Sequence, residues 1–266
     1  MNEIWQKMIE FFTEKGVSTG LAIAYIIVSA LLVVMAIVAL IMWIIVCVKY
    51  FAANKTRTTS GKTGLELARE MLDKAGLKHI QVKKAGLLRA IFIGNCYSIT
   101  KKTVFLRGAI ANKNSITSVG MALQKVGIAQ LCESGDKKAI ARNSLQIVSI
   151  FGPMLFIPIV LIGAVIDFCL FRVFGTFSMI SIGIGLFIMV AGFLVTLLNI
   201  PVEKKANKMA LATIKSTGVL NEEEQKLVKK VFDAYIIAYI MDFIVAVLRV
   251  VQLVLEIVMK SQMSKK

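Results

Sequence analysis

From Leu21 to Val48 the chain runs for 28 residues without one charged side chain. A helix rises about 1.5 Å per residue, so this run is long enough to cross the roughly 30 Å of hydrocarbon in a bilayer even when tilted. It is about twice as long as the roughly 7 to 15 apolar residues of a secretory signal, and no small-residue cleavage site follows it. It therefore predicts a retained anchor. Three further apolar runs repeat the pattern: Ile147 to Phe171, Phe177 to Ile200, and Val231 to Met259. The middle two are separated only by RVFGTF and read as a helical hairpin. With 57% hydrophobic residues and three prolines in 266 positions, the composition excludes an ordinary soluble domain. The expected fold class is a mainly α polytopic membrane protein with four transmembrane helices and a small cytoplasmic α+β portion.

Residues 1–20 precede the first span. Ile4, Trp5, Met8, Ile9 and Phe12 fall at helical spacing, as in an amphipathic helix lying on a bilayer surface or packed on the protein. The spans are 21–48, 147–171, 177–200 and 231–259. Between them lie the polar segments 49–145 and 201–230, with a tail at 260–266. Lys49 to Arg142 holds 18 of the 32 basic residues against five acidic ones, a net +13. Basic loops stay on the cytoplasmic side, so both polar segments are expected inside, facing anionic headgroups. Lys260, Lys265 and Lys266 would then fall outside, which runs against the rule. No aromatic-interleaved basic motif points to nucleic acid.

Local signals divide the polar segments. Thr63 and Glu66 have capping-box spacing, with Leu65, Ala68, Leu72 and Ala75 on one face and Gly76 as a stop. HIQVKKAG, RAIFIGNCYSI and KTVFLRG read as two or three strands. Ser115 or Thr117 caps a second helix reaching Cys132. Pro201 is placed for a helix start, with Glu203, Ala206, Asn207 and Ala210 on one face and Gly218 as its end. Asn221 before Glu222, Glu223 and Glu224 reads as a cap with acidic residues in the positive first turn, in preference to a metal site. Cys47, Cys96, Cys132 and Cys169 form no C-x-x-C pair and imply no disulfide framework.

TGLELAREMLDKAGL, TLLNIPVEKKANKMAL and LVKKVFDAYIIAYIM, in that order around a hydrophobic hairpin, resemble the YugP-type membrane zinc metallopeptidases over about Tyr50 to Met259. The layout is also similar to that of HtpX-type proteases. The resemblance implies a zinc site in a bacterial plasma membrane protein, with H-E-x-x-H on the helix before the hairpin and a third ligand, Glu, on the helix after it. Residues i and i+4 share a helix face, so two imidazoles can hold one zinc while the intervening Glu takes a proton from its water. Here that register carries Gln124, Lys125, Val126, Gly127 and Ile128, and only the third ligand is kept, as Glu203. A D-H-Y-D-P-like turn of the family falls on Asn95, Cys96, Tyr97, Ser98 and Ile99, where only the Tyr survives.

The resemblance therefore implies a pseudoprotease without zinc, a client-binding adaptor or the regulator of an active membrane protease. Two other readings stay open. One is an active peptidase with a metal relocated to His79, Cys96, Cys132 and Glu203. The other is a small ion or proton transporter using the intramembrane charges Asp167, Asp242, Arg249 and Glu256, which otherwise pair between helices. Glu203, without a zinc ion, is either a solvated helix residue or the partner of Lys125 in an internal ion pair.

Overall fold

The computed structural model describes residues 2–172 and 175–263. Lys265, Lys266 and part of the RVFGTF junction lie outside the described residues. The helices are α1 (Asn2–Thr13), α2 (Thr19–Lys55), α3 (Gly64–Lys74), α4 (Leu87–Phe92), α5 (Gly108–Ala111), α6 (Ile116–Glu133), α7 (Lys137–Ser144), α8 (Gln146–Phe171), α9 (Thr176–Thr217) and α10 (Glu222–Met263). The strands are β1 (Gln81–Lys84), β2 (Cys96–Ser98) and β3 (Thr103–Leu106). Four of the helices, α2, α8, α9 and α10, are long and apolar enough to cross a membrane.

The chain divides into two compact units. The first holds residues up to Ile44 together with those from Ile240 onward. Within it Phe12 packs edge-on against Tyr25, and Val17, Ala22 and Met259 are buried beside them. Ser18 N–H donates to Gln262 Oε1 at 2.9 Å, and Gln252 donates to Ser29 Oγ at 3.0 Å. Ile4, Trp5 and Met8 of α1 are exposed, together with Phe11.

The second unit, Ile45–Tyr239, contains the sheet and the rest of the helices. Strand order is β1-β3-β2, with β1 parallel and β2 antiparallel to β3. The segment expected as a strand at RAIFIG is instead the helix α4, begun at Gly86. A short apolar run fits either period, and the pairing edge here is taken by β2. Thr63 makes the full capping box with Glu66. The buried residues of α3 include Leu67, Ala68, Met71 and Leu72, and Leu65 is partly buried against the same core, whereas Ala75, at the C-cap, is exposed.

Pro201 starts no helix, because α9 runs through it from Thr176 to Thr217. Helix α10 runs from Glu222 into the last apolar stretch without interruption. Pro201 removes one backbone hydrogen bond. Burial of Val202, Glu203, Ala206 and Ala210 just beyond it offsets that loss. Gly218 ends α9 in the left-handed conformation at φ 63°. Asn221 and Glu224 cap α10 reciprocally, at 2.9 Å in each direction, and Glu224 also accepts from the Thr59 backbone and hydroxyl at 2.8 Å each.

The hairpin of α8 and α9 closes through small residues. A Cβ on Gly152 would sit 2.8 Å from the Ile188 carbonyl, and one on Gly163 would enter the Ser181 side chain. In lipid, where burying apolar surface gains little, such close approach supplies the packing energy.

Candidate functional site

Helix α6 is buried on nearly every face, which explains why it shows little amphipathic pattern. Such a helix should be apolar throughout, yet its centre carries Gln124 and Lys125, 2% and 4% exposed. Polar groups at that depth require partners. They come from α9 and α7. Gly127, one turn along, lets the helices meet: a Cβ there would lie 3.0 Å from the Ala206 carbonyl.

The Lys125 ammonium donates to both oxygens of Glu203, at 3.2 and 3.5 Å. Arg142 of α7 donates to the same Glu203 Oε1 at 2.8 Å, and its other nitrogens reach Asn199 Oδ1 and Asn143 Oδ1, each at 2.8 Å. Glu203 is completely buried. Gln124 donates to Asn207 Oδ1 at 2.6 Å, while its own Oε1 is buried without a hydrogen-bond partner. Ile128 belongs to the apolar core. The centre thus holds two cations on one carboxylate. Burial pushes the Lys125 amine below its ordinary value; Glu203 works against that shift and Arg142 adds to it.

Arg142 and Asn199 escaped the sequence reading. Arg142 sits among the basic residues flanking a span, where the positive-inside pattern already accounts for a cation. Nothing in its spacing distinguishes it.

The turn at residues 95–99 sits apart in role. Asn95 Oδ1 accepts the Arg107 N–H at 2.7 Å, and Ser98 Oγ accepts the Lys101 N–H at 3.3 Å. Cys96 is buried against Arg89, and Tyr97 donates to Glu133 Oε1 at 2.6 Å. Glu133 also holds Lys102 at 2.6 Å and His79 at 3.2 Å. Burial would raise the Glu133 carboxyl, but hydrogen bonds from Lys102, Tyr97 and His79 outweigh it and bring the value down to about 2. Burial, then the Glu133 carboxylate, pushes the Tyr97 phenol up.

His79, Cys96, Cys132 and Glu203 are not brought together. His79 faces Glu133, Cys132 Sγ accepts from Asn143 at 3.1 Å, and Glu203 is held by its two cations. No three ligand-type side chains gather among the described residues.

The intramembrane charges take different partners. Asp167 caps α9, accepting backbone N–H groups of Gly175 at 2.8 Å, Phe177 at 3.2 Å and Ser178 at 2.7 Å. A carboxylate there satisfies orphan donors and complements the helix dipole. Glu256 pairs with Lys260 on its own helix at 2.9 Å. Asp242 and Arg249 are exposed on α10 and form no salt bridge among the described residues. Seven residues on one helix separate them, beyond the reach of an i,i+4 pair.

Comparison with known proteins gives the frame for this site. No solved structure matches the chain. The Bacillus subtilis (strain 168) protein named "Putative membrane protease YugP" is 28% identical over 185 residues, covering 68% of this chain and 74% of that one. The model of the family described as "Putative neutral zinc metallopeptidase" matches residues 26–258, which is most of the sequence, and the chain therefore belongs to that family.

Proposed function

We propose that this family member is a pseudoprotease, a membrane protein that keeps the metallopeptidase frame without its zinc chemistry. The reading is supported by one observation: Lys125, which the family resemblance sets at the register of the catalytic Glu, is buried and bonded to Glu203, which it sets at the third ligand. A zinc ion needs about four donors of nitrogen, sulfur or carboxylate oxygen. Here Ile128 offers none, Gln124 offers a neutral amide, and the one carboxylate already carries two cations. The donor set does not fit zinc. Lys125 and Arg142 supply the positive charge that a metal would bring, and tie α6 and α7 to α9 as a metal would.

What remains is a helical frame able to hold a membrane or peptide client, or to associate with an active protease. The polar segments 49–145 and 201–230 then face the cytoplasm of a bacterial plasma membrane, following their basic charge.

Elemental analysis of the detergent-purified chain tests this directly. Zinc far below one atom per chain is expected, with no chelator-sensitive cleavage of a casein probe. One zinc per chain that survives dialysis, with cleavage abolished by Glu203→Gln, would overturn the reading.

A further inference from the structure

Within the larger unit, residues of α9 and α10 line an open cavity of about 290 Å³. Its rim carries Lys204, Lys205, Lys208 and Lys229, and its floor includes Leu211, Phe232 and Ile236. We propose that this cavity seats the phosphate headgroup of an anionic membrane phospholipid, with the glycerol and the start of the acyl chains against the apolar floor.

Charge supplies the first argument. Lys205 is already committed to Asp136, at 2.6 Å. Lys204, Lys208 and Lys229 form no ion pair among the described residues, and the lining contributes one carboxylate, Asp233. Lys204 and Lys208 are also four apart on one helix, where like charges repel. Helix stability gives no reason for that pair. An anion lying across them does.

Position supplies the second. The apolar run of α9 ends at Ile200 and that of α10 begins at Val231, so Lys204 and Lys229 flank the ends of two membrane-crossing stretches. Four residues of helix amount to about 6 Å, the depth of one headgroup layer beyond the hydrocarbon. Lys208 stands one turn further out and can bring its ammonium back along its flexible stem.

The combination of walls selects among anions. A soluble phosphate would use the lysines but gain nothing from Phe232 and Ile236. An apolar peptide would use the floor but leave three cations uncompensated. A phospholipid engages both. The proposal does not depend on the zinc question: Lys204, Lys208 and Lys229 form no hydrogen bond or ion pair with Lys125, Arg142 or Glu203 among the described residues, although Asn207, which accepts from Gln124, also lines the cavity.

The test is native mass spectrometry of the full chain in neutral detergent, titrated with dioleoylphosphatidylglycerol, dioleoylphosphatidylcholine or inorganic phosphate. One phosphatidylglycerol per chain should be retained about tenfold or more in preference to phosphatidylcholine. Lys204→Gln, Lys208→Gln and Lys229→Gln together should abolish the preference. The corresponding Arg substitutions should keep it, as should Lys78→Gln, Lys83→Gln and Lys101→Gln together, which remove equal charge from other exposed positions. Matching thermal midpoints would establish that the variants are folded. Equal retention of the two lipids, equal loss in the Lys78, Lys83 and Lys101 variant, or displacement by millimolar inorganic phosphate would each overturn the proposal. The last outcome would identify a soluble-anion site.

Discussion

The two halves of α9 stick to their neighbours by different means. The half before Pro201 lies against α8, backbone to backbone, at Gly152, Gly163 and Gly192, with one hydroxyl pair, Ser149 to Thr196 at 3.0 Å. The half after it lies against α6 through one close approach at Gly127 and a set of buried charges. In hydrocarbon, association rests on shape and small residues. In the water-facing part, apolar burial already supplies the adhesion, and charges are retained only with partners. One continuous helix therefore has one half that is sensitive to volume and another that is sensitive to charge.

The largest effect should come from the charge-sensitive half. Glu203→Leu leaves Lys125 and Arg142 buried without their carboxylate, and a loss of about 3 to 5 kcal/mol is expected in denaturant unfolding of the detergent-solubilised chain. An unchanged midpoint would remove the distinction between the halves. In the volume-sensitive half, Gly163→Val should cost about 1 to 3 kcal/mol by overpacking. Shrinking the opposing side chain sharpens the test: Ser181→Gly should recover part of that loss for Gly163→Ala, whereas no change of volume near Glu203 should rescue Glu203→Leu.

Lys125→Met should move stability by only about 1 kcal/mol in either direction, because Arg142 still neutralises Glu203 and an apolar side chain suits the core. Its signature is in pH. Burial lowers the Lys125 value below 10.5, so above that lowered value the folded chain has released a proton that the unfolded chain keeps until 10.5. Wild-type stability therefore rises with pH across that window, and the rise should vanish in Lys125→Met. A rise that persists unchanged would assign it to another group.

A smaller effect than at Glu203 is expected at the cluster around Glu133. Glu133→Gln should cost about 1 to 3 kcal/mol at neutral pH, because it removes charge-assisted hydrogen bonds from Lys102 and Tyr97 while the half-exposed Lys102 limits the loss. The Glu133 carboxyl falls from 4.5 to about 2 on folding, so its contribution is present above pH 4.5 and lost as pH falls toward 2. Acid titration of the variant should lack that component, and an identical acid profile would exclude Glu133 as its source.

Much of this fold is written in local chemistry. The four apolar runs, the Thr63 capping box, the Ser115 cap and the Gly218 stop each depend on residues within a turn or a span of one another. Where local chemistry was ambiguous, packing decided. The apolar residues of α4 suit either a strand or a helix, and Pro201 suits a helix start as well as a tolerated interruption. The partner of Asp167 is invisible in the sequence because a cap is not formed until the chain turns back: Asp167 meets its backbone donors only after the hairpin closes.

The sequence by itself determined that four helices are long and apolar enough to cross a membrane and that Gln124, Lys125 and Ile128 stand where the family resemblance sets its H-E-x-x-H register, since hydrophobic length and residue identity are properties of the chain alone. Only the tertiary structure decided what stands around that register. Lys125 is 78 residues from Glu203, and Arg142 is 61 residues from it. No local rule relates such positions. Their meeting follows from how closely α6 can approach α9 at Gly127 and from where α7 turns back, and buried charges require that neutralising contact.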